Sequence, residues 1–181
     1  MIEVKKMKNS LAKFLKGFAR EERGQMVVEF ALAIPLIFFL FLTSLELSIY
    51  QLRQTSLDRG VDMTVRAVRL NTGVDFKHSE LKDMICDFAG FLEDCDQTLR
   101  LEMRPIDPRN FTQLGNQLDC IDVSKPVQPL REFRHGGDHD LMLLRACYMF
   151  KPVSPGSGLG YHYTKDGSGR VAMASTSAFV Q

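Results

Sequence analysis

The chain has 181 residues, with 23 Lys and Arg against 22 Asp and Glu for a formal net charge of +1, and 45% of its residues are hydrophobic. That length leaves room for one modest globular domain beside a membrane segment. Basic residues do not alternate with exposed aromatics along any candidate strand, so neither the charge nor its pattern supports a nucleic-acid partner.

The near-zero net charge conceals an asymmetry. Residues 1 to 24 hold Lys5, Lys6, Lys8, Lys13, Lys16, Arg20 and Arg23 against Glu3, Glu21 and Glu22, seven cations minus three anions, or +4. Within this leader Leu11, Phe14, Leu15 and Phe18 recur at i, i+3, i+4 and i+7. Such spacing fits a short basic amphipathic helix on the inner leaflet, and equally an unstructured polar leader with a chance stripe.

The next stretch runs Gly24-Gln-Met-Val-Val-Glu29-Phe30 and then, almost without a polar residue, from Ala31 to Leu45. As a helix, residues 26 to 50 would be roughly 37 Å long, enough to cross a hydrocarbon core of about 30 Å with some tilt. Basic residues beside one end of a span hold that end in the cytoplasm, so the pattern predicts an inside N-terminus and an exterior C-terminal domain. Glu29 and Glu46 are expected near opposite interfaces, within reach of headgroups or water. At the centre of a span a carboxylate would cost about 2.5–3.5 kcal/mol. Pro35 predicts a kink, tolerable in a membrane bundle where a neighbour can meet the freed carbonyl. Ala31-Leu-Ala33 mimics a secretory cleavage box, but it falls inside the apolar run and not after it.

No proline interrupts residues 51 to 70, and two apolar stripes continue the helix: Leu45, Ile49 and Leu52, then Leu57, Val61, Val65 and Val68. Asn71-Thr-Gly73 supplies the stop. A single helix from Gln25 to about Leu70 would measure roughly 69 Å, half apolar all round and half with one face against a globular domain. A second helix is expected near Ser79 to Leu92, with Leu81, Met84, Ile85 and Phe88 on one face and Ser79 as its cap. Leu99, Leu101 and Met103 alternate with Arg100, Glu102 and Arg104, a half-buried strand closed by Pro105 and Pro108. Leu141 to Phe150 reads as a more buried strand and Ala172 to Val180 as a closing one. Residues 107 to 140 read mostly as loop. The expected organisation is therefore a leader over 1–24, a span over 25–50, a helix extension over 51–72 and an exterior α+β domain over 73–181, its sheet antiparallel.

Cys86, Cys95, Cys120 and Cys147 all follow the span, and four cysteines in an exported domain suggest disulfides. Of three possible pairings, Cys86–Cys95 and Cys120–Cys147 are favoured. The first ties a helix end to the loop after it, and the second anchors the long loop to a strand. Loop entropy assigns them roughly 2.7 and 3.6 kcal/mol. The irregular spacing without C-x-x-C argues against zinc.

Other chemistry is thin. His135, Asp138, His139 and Asp140 form the most metal-like cluster, and would suit a membrane-tethered metalloenzyme, but a polar loop is the simpler reading. Gly156-Ser-Gly-Leu-Gly160 lacks the strand, helix and lysine of a phosphate loop. No nucleophile-elbow sequence occurs. The sequence therefore predicts no enzyme, no metal or other cofactor and no small-molecule substrate.

A glycine after charged residues, an acid five positions later, Phe30 and Pro35 together resemble the processing site of type IV prepilins. The form Gly-x-x-x-x-Glu-Phe-Ala-Leu-x-x-Pro is most similar to TadE-like minor pseudopilins of the Tad, or Flp, pilus apparatus. The resemblance is close over residues 23 to 50. It implies a structural role in pilus assembly and adhesion, and cleavage by a membrane prepilin peptidase between Gly24 and Gln25. It also implies pairing of Glu29 with the N-terminal ammonium of a neighbouring subunit. In lipid a carboxylate is driven toward its neutral form, and an opposing charge restores the ionised one. Major Flp pilins are very short, so the large exterior domain implies a minor subunit. Gln25, once terminal, can cyclise to a neutral lactam, which would remove the ammonium. The implied partners are membrane lipid, the peptidase, other pilins or pseudopilins and the Tad secretion machinery. The implied location is the bacterial inner membrane with the C-terminal domain periplasmic, possible incorporation in the pilus following from cleavage. An alternative from another class is an uncleaved, permanently anchored periplasmic scaffold or binding protein, its long helix a stalk.

Overall fold

The computed structural model describes residues 17, 24–71, 73–107, 109, 119–122, 132–137, 139–156 and 158–180. The leader residues Leu11, Phe14, Leu15 and Phe18, on which an amphipathic helix was expected, lie outside these. The chain divides into two compact units, Met1–Leu42 and Thr43–Gln181. The elements in order are helix α1 (Gln25–Leu70), α2 (His78–Ala89), α3 (Cys95–Thr98), strand β1 (Leu99–Ile106), β2 (Leu141–Phe150), α4 (Gly158–His162) and β3 (Val171–Val180). Together they make an α+β fold in which a long N-terminal helix packs on a small antiparallel sheet.

Within the first unit, the residues from Gln25 to Leu42 are helical through Pro35. Their apolar side chains are exposed from Met26 onward, and no residue of the most apolar window is buried. A helix apolar on every side suits hydrocarbon surroundings, since in water it would be a liability. Helix α1, from Met26 to Leu70, is long and apolar enough to cross a membrane and is compatible with a single-pass anchor.

The second unit is built on the remainder of α1. Leu57, Val61, Val65 and Val68 are buried at i, i+4, i+8 and i+11, the stripe expected from the sequence. They meet Leu81 and Ile85 of α2 and one face of the sheet, chiefly Leu101, Leu144, Ala146 and Met173. The earlier stripe is corrected in part: Leu45 and Leu52 are exposed, Ile49 is half-buried, and the buried row continues back through Arg53 to Glu46. At the far end the Asn71 backbone N–H donates to the Ala67 carbonyl at 3.2 Å, and its side-chain amide to the same oxygen at 2.9 Å. Asn71 thus meets carbonyls that a helix end leaves open.

Helix α2 begins one residue earlier than expected and is not capped by Ser79. Instead the Lys77 N–H donates to the Glu80 carboxylate at 2.8 Å. An acid in the first turn meets both an open donor and the positive helix end. The helix stops at Ala89, short of Leu92, because Gly90 takes a left-handed φ of 64° and returns its N–H to the Cys86 carbonyl. Where α2 crosses α1 the backbones come close. A Cβ on Gly60 would lie 2.7 Å from the Ile85 carbonyl oxygen and 3.1 Å from the Ala89 Cβ.

The sheet has the order β1-β2-β3, both pairs antiparallel. β2 is central and buried along nearly its whole length. Strand β1 does not end at Pro105 but runs through it to Ile106. The ring is tolerated because β1 is an edge strand, where a missing N–H need not break a ladder. Arg100, expected on a solvated face, is buried. Its Nε lies 2.9 Å from Asp119 Oδ2, and its cross-strand neighbour is Cys147. Asp119 and Cys120 are consecutive, so one ion pair and one disulfide, Cys120–Cys147, pin this loop segment onto adjacent strands. The other disulfide joins Cys86 of α2 to Cys95 at the start of α3, with Cα atoms 5.8 Å apart. The part of the 107–140 connection that is described is loop, apart from a bridge between Met103 and Phe133.

Two stability effects follow. Gly60→Val, tested by chemical denaturation of the detergent-solubilised chain, is expected to cost about 1–3 kcal/mol, because the added methyls meet backbone rather than a movable side chain. Unchanged stability would mean that α1 and α2 separate without loss. His78 sits edge-on to Phe133 at 5.2 Å. Burial first, then the charges of Lys82 and Arg100, hold its pKa below the usual 6.5, with Asp119 opposing. The unfolded chain therefore takes up this proton first. Stability from this group is complete above about pH 6.5 and falls as the pH drops below that value. His78→Phe should flatten the dependence between about pH 7 and 5.5, read by denaturant midpoints.

Candidate functional site

The residues expected to carry processing and subunit pairing share the first turns of α1. Gly24 precedes the helix and is exposed, in an ordinary backbone conformation, and a Cβ built on it meets nothing within 4 Å. Gln25 opens α1. Glu29 and Phe30, one turn on, are exposed and lie beside Met26, Val27 and Ala33 on a shared apolar surface. Pro35 follows within the same helix. The four cysteines belong to the other unit and form the two disulfides already described. Of the metal-like cluster, Asp138 lies outside the described residues. His135 packs edge-on against Phe133 at 5.5 Å, and Asp140 accepts a hydrogen bond from the Gly137 N–H at 2.8 Å. Among the described residues no group of three His, Cys, Asp or Glu is placed to hold a metal ion.

A second constellation was not expected from the sequence. Glu46 is not at a wet interface but 5% exposed inside the second unit, where its Oε1 accepts the Ser154 backbone N–H at 3.2 Å. The Pro- and Gly-rich connector 152–163 closes over it. A Cβ on Gly158 would be 3.0 Å from Glu46 Oε2, and one on Gly160 would be 2.7 Å from Oε1 and would also strike the Ser154 carbonyl oxygen. Gly158 further holds a left-handed φ of 60°. The cavity left beside the carboxylate is about 10 Å³, room for at most one water. This is a clasp and not a ligand pocket.

The clasp continues along α1. Tyr50 packs on Phe150 and Tyr163, each at 5.8 Å between ring centres. One turn further, buried Arg53 donates from Nη1 to the Lys151 carbonyl at 3.0 Å and stands 5.3 Å over the Phe150 ring. Its Nη2 lies 3.5 Å from Glu93. Nearby, burial raises the pKa of Tyr148, whose hydroxyl donates to the Glu93 carbonyl at 2.8 Å. Tyr163 is raised by burial and then by Tyr50 and Glu46. The signal that could have revealed the row was its register: Glu46, Tyr50, Arg53, Leu57 and Val61 continue one helical face, polar where a core stripe should be apolar.

Glu29 and Phe30 thus share an apolar surface of α1, and Gly24 lies just before the same helix. Residues 24–66 match the family model of TadE-like proteins. That family is one of structural pilus components. No curated protein and no solved structure matches the chain. The TadE-like segment begins at the glycine proposed for processing and extends through the clasp residues Glu46 and Arg53 to the start of the buried valine row. All three strands and both disulfides lie outside it.

Replacing Glu46 by Ala removes the acceptor of the part-buried Ser154 N–H; a fully buried donor left unmet costs about 1–3 kcal/mol, and this one costs less. Hydrogen exchange over residues 152–163 should accelerate in Glu46→Ala, and in Gly160→Ala by collision, while β2 amides stay protected. Equal protection in both variants would show that the connector holds without the clasp.

Proposed function

We propose that the protein is a minor pseudopilin of a Tad-type pilus, made as a precursor in the bacterial inner membrane and cut between Gly24 and Gln25 by a prepilin peptidase. Its N-terminus faces the cytoplasm and its disulfide-bearing domain the periplasm. Its partners are membrane lipid, the peptidase, other pilins or pseudopilins and the Tad machinery. After cleavage, Glu29 on the apolar helix pairs with the new ammonium of a neighbouring subunit, Phe30 packs in the same contact, and Pro35 kinks the span to fit its bundle. Assembly of the pilus, and through it surface attachment, is the outcome.

The observation that carries this reading is the TadE-like match over residues 24–66, set on a helix whose first turns expose Glu29 and Phe30 among apolar side chains. The physical reasoning supports it from a second direction. An acid in an apolar span is expensive unless an opposite charge meets it, and cleavage generates such a charge at the correct end of the helix.

Intact mass and N-terminal peptide analysis of the chain from its native membrane, beside a Gly24→Ala variant, tests the proposal. The mature native chain should start at Gln25 and the variant should keep residues 1 to 24. Because a Cβ at residue 24 meets nothing within 4 Å, the variant should fold normally, and uncut protein would report the peptidase rather than misfolding. A native chain that keeps its leader beside an active prepilin peptidase would leave an uncleaved anchored scaffold and sink the proposal.

A further inference from the structure

Strand β3 is an edge strand, and its free side is only partly occupied. The Arg170 carbonyl accepts the Asp166 N–H at 2.8 Å, and the Ala174 carbonyl accepts the Gln54 amide at 3.1 Å. Residues 170 and 174 therefore turn their backbone polar groups away from β2, and by the two-residue period so do Thr176, Ala178 and Val180. Beyond Ala174 no Pro, Lys or bulge guards the edge, the usual devices against strand addition. Beside it, α1 and β3 enclose a groove of about 660 Å³ that includes Ser177 and Ala178.

The groove wall is charged. Arg59, Arg66 and Arg69 line it with Asp58 and Asp62. Asp58 accepts a hydrogen bond from Gln54 at 3.0 Å, whereas the three arginines and Asp62 make no ion pair among the described residues. Three unengaged cations face one unengaged carboxylate.

We propose that this groove is a docking site for an extended acidic segment of another polypeptide. It would add as a strand to β3 at Thr176, Ala178 and Val180 and place carboxylates against Arg59, Arg66 and Arg69. Main-chain pairing supplies affinity in such additions, and the flanking side chains supply the choice of partner. A second copy of this chain fits less well, because its own β3 carries no carboxylate to set against the arginines.

The test uses the full chain in detergent micelles and a soluble eight-residue peptide of alternating threonine and glutamate, with a threonine–lysine peptide as its counterpart. Backbone hydrogen exchange at Thr176, Ala178 and Val180 should slow by about tenfold or more with saturating acidic peptide. It should not slow with the lysine peptide, nor with the acidic peptide on an Arg66→Glu, Arg69→Glu variant whose β2 amides remain protected. No slowing with the acidic peptide, or equal slowing with both, would overturn the proposal. Slowing that rises with protein concentration in the absence of peptide would overturn it too, in favour of self-association. None of these results bears on cleavage at Gly24, which mass analysis reads separately.

Discussion

The buried row on α1 is the constraint on which the second unit depends. From Glu46 through Arg53, Leu57 and Val61 to Val68, one face of the helix supplies what the connector, α2 and the sheet pack against. Burial of a side chain such as Leu57 contributes about 1.5–3 kcal/mol. The sheet has only three strands, and packing a helix on its apolar face adds to the stability of so small a sheet. The first part of the same helix presents apolar side chains on all sides. One continuous helix thus has two different solvation requirements, and its sequence changes character where the change of surroundings is needed.

The polar groups in the buried row decide how the two ends of that face are held. Arg53 could not be kept so enclosed by its partly exposed pairing with Glu93 alone, since an ion pair with an exposed partner contributes only about 0–1 kcal/mol. The hydrogen bond to the Lys151 carbonyl and the stacking over Phe150 are what make the position tolerable. Arg100 is different, because both it and Asp119 are buried. Breaking a buried pair from one side costs about 3–5 kcal/mol even where its net contribution is small. The neighbouring Cys120–Cys147 link lowers the entropic cost of keeping Asp119 in place.

Much of this was legible in the sequence, and the failures have common causes. The full run of α1, the valine stripe and the three strands were readable because their periodicities are long and uninterrupted. Leu45 and Leu52 face outward although Ile49 between them is half-buried, and the buried positions of that stretch are Glu46 and Arg53. An apolar stripe and a buried face need not coincide where hydrogen bonds and ion pairs satisfy the polar groups. Pro105 reads as a strand end because the rule against proline applies to central strands, and no local signal says which strand is the edge. Ser79 was outcompeted as a cap by Glu80, whose carboxylate reaches back to Lys77. The acid clasp needed residues 46 and 154 to be neighbours, which no local pattern encodes, although the glycines at 158 and 160 marked a place where something approaches closely.

The glycines separate structural from external demand. Gly60 is required because the Ile85 carbonyl lies where its Cβ would be, and Gly160 because Ser154 and Glu46 do. Any residue larger than glycine at either place must move backbone. Gly24 stands under no such pressure: its surroundings are open and its backbone conformation is one that other residues adopt. Just before a helix, serine, threonine, asparagine or aspartate would cap the free amides at least as well as glycine does. The fold therefore does not single out glycine at residue 24, and the proposed cleavage after it would supply a demand from outside the chain.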